Sequence, residues 1–69
     1  MSLSLTINGE SRASAAANVA ALLEEENVKL DANGVAVALN GAVVRKAEWH
    51  ATALNSGDTL EIVKPFSGG

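Results

Sequence analysis

The stretch Val35-Ala-Val-Ala-Leu-Asn-Gly-Ala-Val-Val44 does most to decide the fold of this chain. Its first five residues alternate a large apolar side chain with alanine, which is typical of a strand with one buried face. Asn40-Gly41 then interrupts the alternation, and this pair favours a two-residue type I′ turn because both positions need a positive φ. The stretch therefore predicts a β-hairpin whose outward face carries Ala36 and Ala38.

The N-terminal segment predicts a second hairpin. Residues 1–7 alternate small polar side chains with leucine and isoleucine, Asn8-Gly9 repeats the turn signal, and Glu10 to Ser14 is expected to return antiparallel. Asn18 then offers an N-cap for a helix over Val19 to Glu26, in which apolar residues at i, i+3 and i+4 form one stripe. We interpret the three acids at the end of this helix as a solvated face.

The C-terminal half predicts one further strand. Residues 46–54 hold Trp49 in an apolar-spaced stretch, interpreted as one turn of 3₁₀ helix with the indole in the core. A turn cluster at 55–58 leads to the last strand, Thr59 to Lys64, with Leu60 and Ile62 inward. The order strand–strand–helix–strand–strand–strand predicts an α+β fold, a mixed sheet of about five strands with one main helix packed on one face. This is the β-grasp (ubiquitin-like) arrangement, predicted for residues 1–64.

Residues 65–69 are expected to form a flexible C-terminal tail ending in Gly-Gly. Pro65 has no N–H and a fixed φ, so it should end sheet pairing and send the tail out extended. Gly68 and Gly69 carry no side chains, so the Gly69 carboxylate can be threaded into a partner's narrow active site. Phe66 is one of two aromatic residues in the chain and is interpreted as a plug for a hydrophobic site on the partner.

Composition excludes several classes of function. The 69 residues carry a formal charge of −3 and no cysteine, and they form no basic stripe that would suit nucleic acid. No signal peptide or membrane-spanning stretch is present, so we expect a cytoplasmic protein that does not bind membranes and is monomeric when free. His50, the only histidine, has no nucleophile or second metal ligand in motif spacing. We therefore predict no metal site and no enzymatic activity of its own.

Three segments together resemble the thiamine-biosynthesis sulfur carrier protein (ThiS) family: residues 5–10, residues 35–44 with Glu48-Trp49, and residues 57–63 running on to Gly68-Gly69. The resemblance implies that Gly69 is the adenylation and thiocarboxylate site and that Phe66, Ser67 and Gly68 thread into the activating enzyme. That enzyme would be a ThiF-like adenylyltransferase, which uses ATP, while this chain binds no cofactor. A persulfide donor such as a cysteine desulfurase would supply sulfur, and a ThiG-like thiazole synthase would receive it.

The sheet face opposite the helix is predicted to dock the partner. The residues expected there are Ala36, Ala38, Glu61 and Val63, with Arg45 and Lys46 near the same rim to pair with acids on the partner. Whether Val43 or Val44 joins them depends on the register of the second hairpin, which the sequence leaves open. Alternative functions also stay open: the small subunit of molybdopterin synthase, a ubiquitin-like modifier of target lysines, or an interaction module that does not use its tail.

Overall fold

The computed structural model of the protein describes residues 2–31 and 33–64. Within these residues, strands, an α-helix and a 3₁₀ turn follow one another in the predicted order. They are β1 (Leu3–Ile7), β2 (Glu10–Ser14), α1 (Val19–Glu25), β3 (Ala36–Leu39), β4 (Ala42–Val44), the 3₁₀ turn (Lys46–Glu48) and β5 (Thr59–Val63). Every predicted element is present, and only the ends of strands and helix differ, by one or two residues. The predicted division at residue 65 stays a prediction, because residues 65–69 lie outside the described part.

The five strands form one mixed sheet in the order β2-β1-β5-β3-β4. The β1–β2 and β3–β4 pairs are antiparallel hairpins. Strand β5 lies between the two hairpins, parallel to β1 and antiparallel to β3. The last strand in sequence is therefore the middle strand in space, and it is the strand that leads into residues 65–69.

Both Asn-Gly pairs form the turns that the sequence predicts. Asn8 and Asn40 each have a φ of 51°, and Gly9 and Gly41 follow with φ values of 84° and 87°. A Cβ atom built on either glycine meets open space, so the positive φ alone is what favours glycine at these two positions. The turns fix the length of each hairpin and hence which residues face inward.

Helix α1 packs its apolar stripe on one face of the sheet. The Asn18 side chain caps the helix by accepting a hydrogen bond from the Ala21 N–H at 2.8 Å, as predicted. Trp49 is 2% exposed, and its indole N–H donates to the Val44 carbonyl at 3.0 Å, so the predicted core position of the indole is confirmed. The buried apolar residues are Leu5, Ile7, Ala16, Val19, Ala20, Leu22, Leu23, Val28, Val37, Val44, Trp49, Leu54, Leu60 and Ile62.

The acidic end of α1 differs from the predicted solvated face. Glu25 accepts a hydrogen bond from the Ser14 hydroxyl at 2.7 Å, and Glu26 pairs with the Arg12 guanidinium. Glu24 and Glu25 are nevertheless exposed, as predicted, whereas Glu26 is half-buried. The sequence could not show this, because the contacts form only when β2 lies beside the last turn of α1. A cation near the helix C-terminus also offsets the unfavourable effect of acids on the helix dipole.

Candidate docking face and tail root

The face of the sheet opposite α1, here called the open face, carries the residues predicted to dock a partner. The register pairs Ala36 of β3 with Val63 of β5. Two residues further along β3, Ala38 lies between Glu61 of β5 and Val43 of β4. Val43 is 78% exposed and Val63 is 60% exposed. We call Ala36, Ala38, Val43 and Val63 the docking patch. It is apolar and faces solvent, with the Glu61 carboxylate beside it.

The register settles which of the two adjacent valines belongs to the docking patch. Val44 pairs with Val37 and is buried in the core, whereas Val43 pairs with Ala38 and points outward. The alternation was visible in the sequence, but its phase was not, because two consecutive valines fit either phase equally well. The Asn40-Gly41 turn fixes the phase by setting Leu39 opposite Ala42.

The other half of the open face has a different character. On the β1–β2 side the side chains that share this face are small and mostly polar: Ser4, Thr6, Ser11 and Ala13. The large apolar side chains exposed on this face, Val43 and Val63, thus lie on the β3, β4 and β5 side of the sheet. Exposed apolar side chains that lie together on one face make this part of the sheet a candidate site of interaction.

Arg45 and Lys46 lie at the edge of the docking patch. Arg45 directly follows β4 and precedes the 3₁₀ turn that Lys46 begins. Because Val44 pairs with Val37, Arg45 lies at the same end of the sheet as Ala36 and Val63. Both side chains are exposed, and the ion pairs found within residues 2–31 and 33–64 involve neither of them. They are placed where a partner's acids could reach them.

Ile62, Val63 and Lys64, here called the tail root, connect the sheet to residues 65–69. Asn8 holds the first of them through its side chain: its Oδ1 accepts from the Ile62 N–H at 2.8 Å, and its Nδ2 donates to the Ile62 carbonyl at 3.1 Å. The backbone N–H of Asn8 also donates to the Leu60 carbonyl at 2.9 Å. One residue of the first turn thus makes three hydrogen bonds to β5.

The second turn holds the opposite end of β5 in a similar way. Asn40 accepts at Oδ1 from the Thr59 N–H at 2.9 Å, and its Nδ2 donates to Asp58 Oδ1 at 3.0 Å. Asp58 in turn accepts from the Asn55 N–H at 2.8 Å, which is the predicted turn role of its side chain. The sequence indicates both asparagines only as turn formers. The available signal was the residue type, since the asparagine amide carries a donor nitrogen and an acceptor oxygen on separate atoms and can bond to two backbone groups at once.

Lys64 adds a weaker contact at the tail root. Its ammonium group lies 3.5 Å from the Glu26 carbonyl oxygen, at the C-terminal end of α1. Phe66, Ser67, Gly68 and Gly69, the predicted threading residues and modification site, lie outside the described residues. His50 is exposed.

No cluster of three or more His, Asp or Glu side chains suited to a metal ion occurs within residues 2–31 and 33–64. In the same residues, no helix combines the length and the hydropathy required to cross a bilayer.

The strand order, the crossover helix α1 and the path of β5 define this chain as a β-grasp protein of the ubiquitin-like class. A crystal structure of the thiamine biosynthesis protein ThiS from Geobacter metallireducens aligns with it at a TM-score of 0.75, with 35% identity and full coverage of both chains. A solution NMR structure of a thiamine biosynthesis protein from the same organism gives a TM-score of 0.78 at 34% identity, covering 97% of this chain and 88% of that one. The predicted α+β fold is confirmed.

The ThiS family model matches residues 5–69, and the chain belongs to the ThiS family. The family predicted from the three sequence segments is therefore confirmed. A curated relative, a thiazole synthase from Paramagnetospirillum magneticum (strain ATCC 700264 / AMB-1), is 46% identical over 68 residues. The match covers 97% of this chain but only 20% of that relative's length.

Proposed function

We propose that this chain is a sulfur carrier in thiamine (thiazole) biosynthesis and that the Gly69 carboxylate carries the sulfur. The observation that carries the proposal is the ThiS family match, which extends from residue 5 to residue 69 and so includes Gly68-Gly69. The proposal requires the mature polypeptide to end at Gly69, because only a terminal glycine presents a carboxylate.

The chemistry requires a separate activating enzyme. At neutral pH a terminal carboxyl group is an anion and a poor electrophile. An ATP-dependent, ThiF-like adenylyltransferase converts it to an acyl-adenylate and releases pyrophosphate. The outer sulfur of a persulfide, such as that of a cysteine desulfurase, then attacks the acyl carbon and AMP leaves. A thiol cleaves the resulting S–S bond, which leaves the thiocarboxylate on this chain and a disulfide on the donor side.

Thiazole synthase is the proposed acceptor of the sulfur and the proposed partner of the docking patch. Support comes from the relative that is a thiazole synthase and contains a segment 46% identical to this chain. Four apolar side chains on the open face supply the contact area, and Arg45 and Lys46 supply charge at its edge. Glu61 lies close enough to the patch to meet a basic group of the partner.

Intact-mass measurement tests the proposal directly. The purified chain is incubated with the adenylyltransferase, ATP and a persulfide donor. We expect a mass gain equal to the exchange of one oxygen atom for one sulfur atom, located by fragmentation at Gly69. A variant lacking Gly69 and a variant with one residue appended after Gly69 should gain no sulfur. If either variant gains sulfur as fast as the wild type, with no proteolytic trimming, the proposal is wrong.

A further inference from the structure

We propose that Asn8 is a positioning residue for the thiocarboxylation reaction. In this proposal its side-chain amide fixes the tail root, and with it the point from which residues 65–69 continue. The inference rests on the proposed function, since it concerns how the carrier is presented to its activating enzyme. Asn8 acts through β5 and does not touch the reacting group.

Strand β1 stops supporting β5 before β5 reaches its end. The two strands pair in parallel only at Thr6 with Thr59 and at Ile7 with Leu60. At Asn8-Gly9 the chain turns away toward β2, so no further strand residue of β1 is available to the backbone of Ile62. A central strand that lost its neighbour there would leave a backbone donor and an acceptor without protein partners.

The Asn8 amide supplies both missing partners. Its oxygen accepts from the N–H of Ile62 and its nitrogen donates to the carbonyl of the same residue, at 2.8 and 3.1 Å. A neutral amide is the side chain that can make this pair of contacts, because a carboxylate only accepts and an ammonium only donates. The side chain therefore substitutes for one residue of a neighbouring strand.

The contact between the Asn8 amide and Ile62 controls how firmly the tail root is held. Ile62 is the first residue of the tail root, and on the other side β3 pairs with Val63 through Ala36. Beyond these contacts, the described structure holds Lys64 only by the longer 3.5 Å approach to Glu26. Loss of the Asn8 amide would leave the tail root attached along one side only. Ordering it would then cost free energy each time the carrier binds the adenylating enzyme.

Such a cost has a kinetic signature that differs from loss of stability. If ordering the tail root costs free energy when the carrier binds, binding is weaker, so KM rises while kcat is unchanged. A modest loss of global stability leaves nearly all molecules folded and changes neither constant. Asn40 provides the matched control, because its side chain also makes two hydrogen bonds at a β5 terminus, but at the end remote from residues 65–69.

The experiment compares Asn8→Gly with Asn40→Gly in ATP-dependent adenylation of the carrier. Glycine tolerates the positive φ at both positions, so each variant loses side-chain hydrogen bonds without turn strain. We expect Asn8→Gly to raise KM about tenfold at constant kcat, and Asn40→Gly to change KM by less than about twofold. Asn8→Asp keeps the acceptor and loses the donor, so it should give an intermediate KM, and it replaces Asn8→Gly if that variant does not fold. Equal KM values for the Asn8 and Asn40 variants overturn the proposal.

Amide hydrogen exchange tests the inference separately from the proposed function. The inference is supported if the amides of Ile62 and Val63 exchange faster in the Asn8 variant, while the α1 amides change equally in the Asn8 and Asn40 variants. Unchanged protection at those two amides overturns it, whether or not the wild type acquires sulfur. A wild type that acquires no sulfur overturns the proposed function. If its tail root still loosens on substitution of Asn8, the Asn8 amide has only a structural role, and the positioning inference is overturned as well.

Discussion

Truncation of the two exposed valines should weaken binding to thiazole synthase and leave the fold intact. The double variant Val43→Ala, Val63→Ala removes two methyl groups from each side chain. Complete burial of one such group contributes about 0.8 kcal/mol. Val43 is 78% exposed and Val63 60%, so most of this contribution is still available to a partner. If the partner buries both side chains, the loss is about 2 kcal/mol, which is about 30-fold in Kd.

The assay is calorimetric titration of the purified carrier with the thiazole synthase of the same organism. Thr59→Ala is the matched control: Thr59 is an exposed, β-branched residue on the same strand and face as Val63, about 13 Å away along β5. Its Kd should stay within about twofold of wild type. Urea unfolding followed by the fluorescence of Trp49, the single tryptophan, should show a loss of about 1 kcal/mol for the double variant, from the part of each valine that the fold already buries, and a change below about 0.5 kcal/mol for Thr59→Ala. If Kd changes less than about threefold in the double variant, the partner does not bury this patch.

Three further predictions concern stability. Asn18→Ala removes the helix cap to the Ala21 N–H and should lower the free energy of unfolding by about 1 kcal/mol, measured by urea denaturation; an unchanged midpoint would mean that α1 needs no cap. Trp49→Phe loses the hydrogen bond to the Val44 carbonyl and leaves a small cavity, so it should lower the free energy of unfolding by about 2 kcal/mol. Unfolding followed by circular dichroism measures this loss, and a value near zero would contradict the packing described. Gly41→Ala forces a Cβ onto a φ of 87° and should cost about 1 kcal/mol by thermal unfolding, although the added atom touches nothing; a stabilised variant would contradict the backbone argument.

Local signals in the sequence were enough to predict the elements of the fold. Each Asn-Gly pair predicts its own hairpin because positive φ is a property of the residues in the turn. Asn18 predicts the start of α1 for the same local reason, since a cap bonds to an N–H only three residues away. Alternation then assigned Leu60 and Ile62 to the core without any knowledge of their neighbours.

Contacts between distant residues were the part that the sequence did not reveal. The Asn8 side chain bonds to a residue 54 positions later, and nothing near Asn8 indicates this. The pairing of Glu26 with Arg12 likewise depends on where β2 lies relative to α1. The choice between Val43 and Val44 needed the register of one hairpin, which a run of two valines does not specify. For the candidate site, the composition of the docking patch was predicted except for Val43, and the support of the tail root was not predicted at all.

The central place of β5 has a consequence for how the chain matures on the ribosome. Both hairpins and the helix are synthesised before β5, so the nascent polypeptide holds two separate sheet fragments with a gap where β5 belongs. The two fragments can join into one sheet only when residues 59–63 have been translated. A polypeptide whose synthesis stops before residue 59 therefore lacks the strand that joins the two hairpins, and its β1 and β3 each keep one edge without a neighbouring strand.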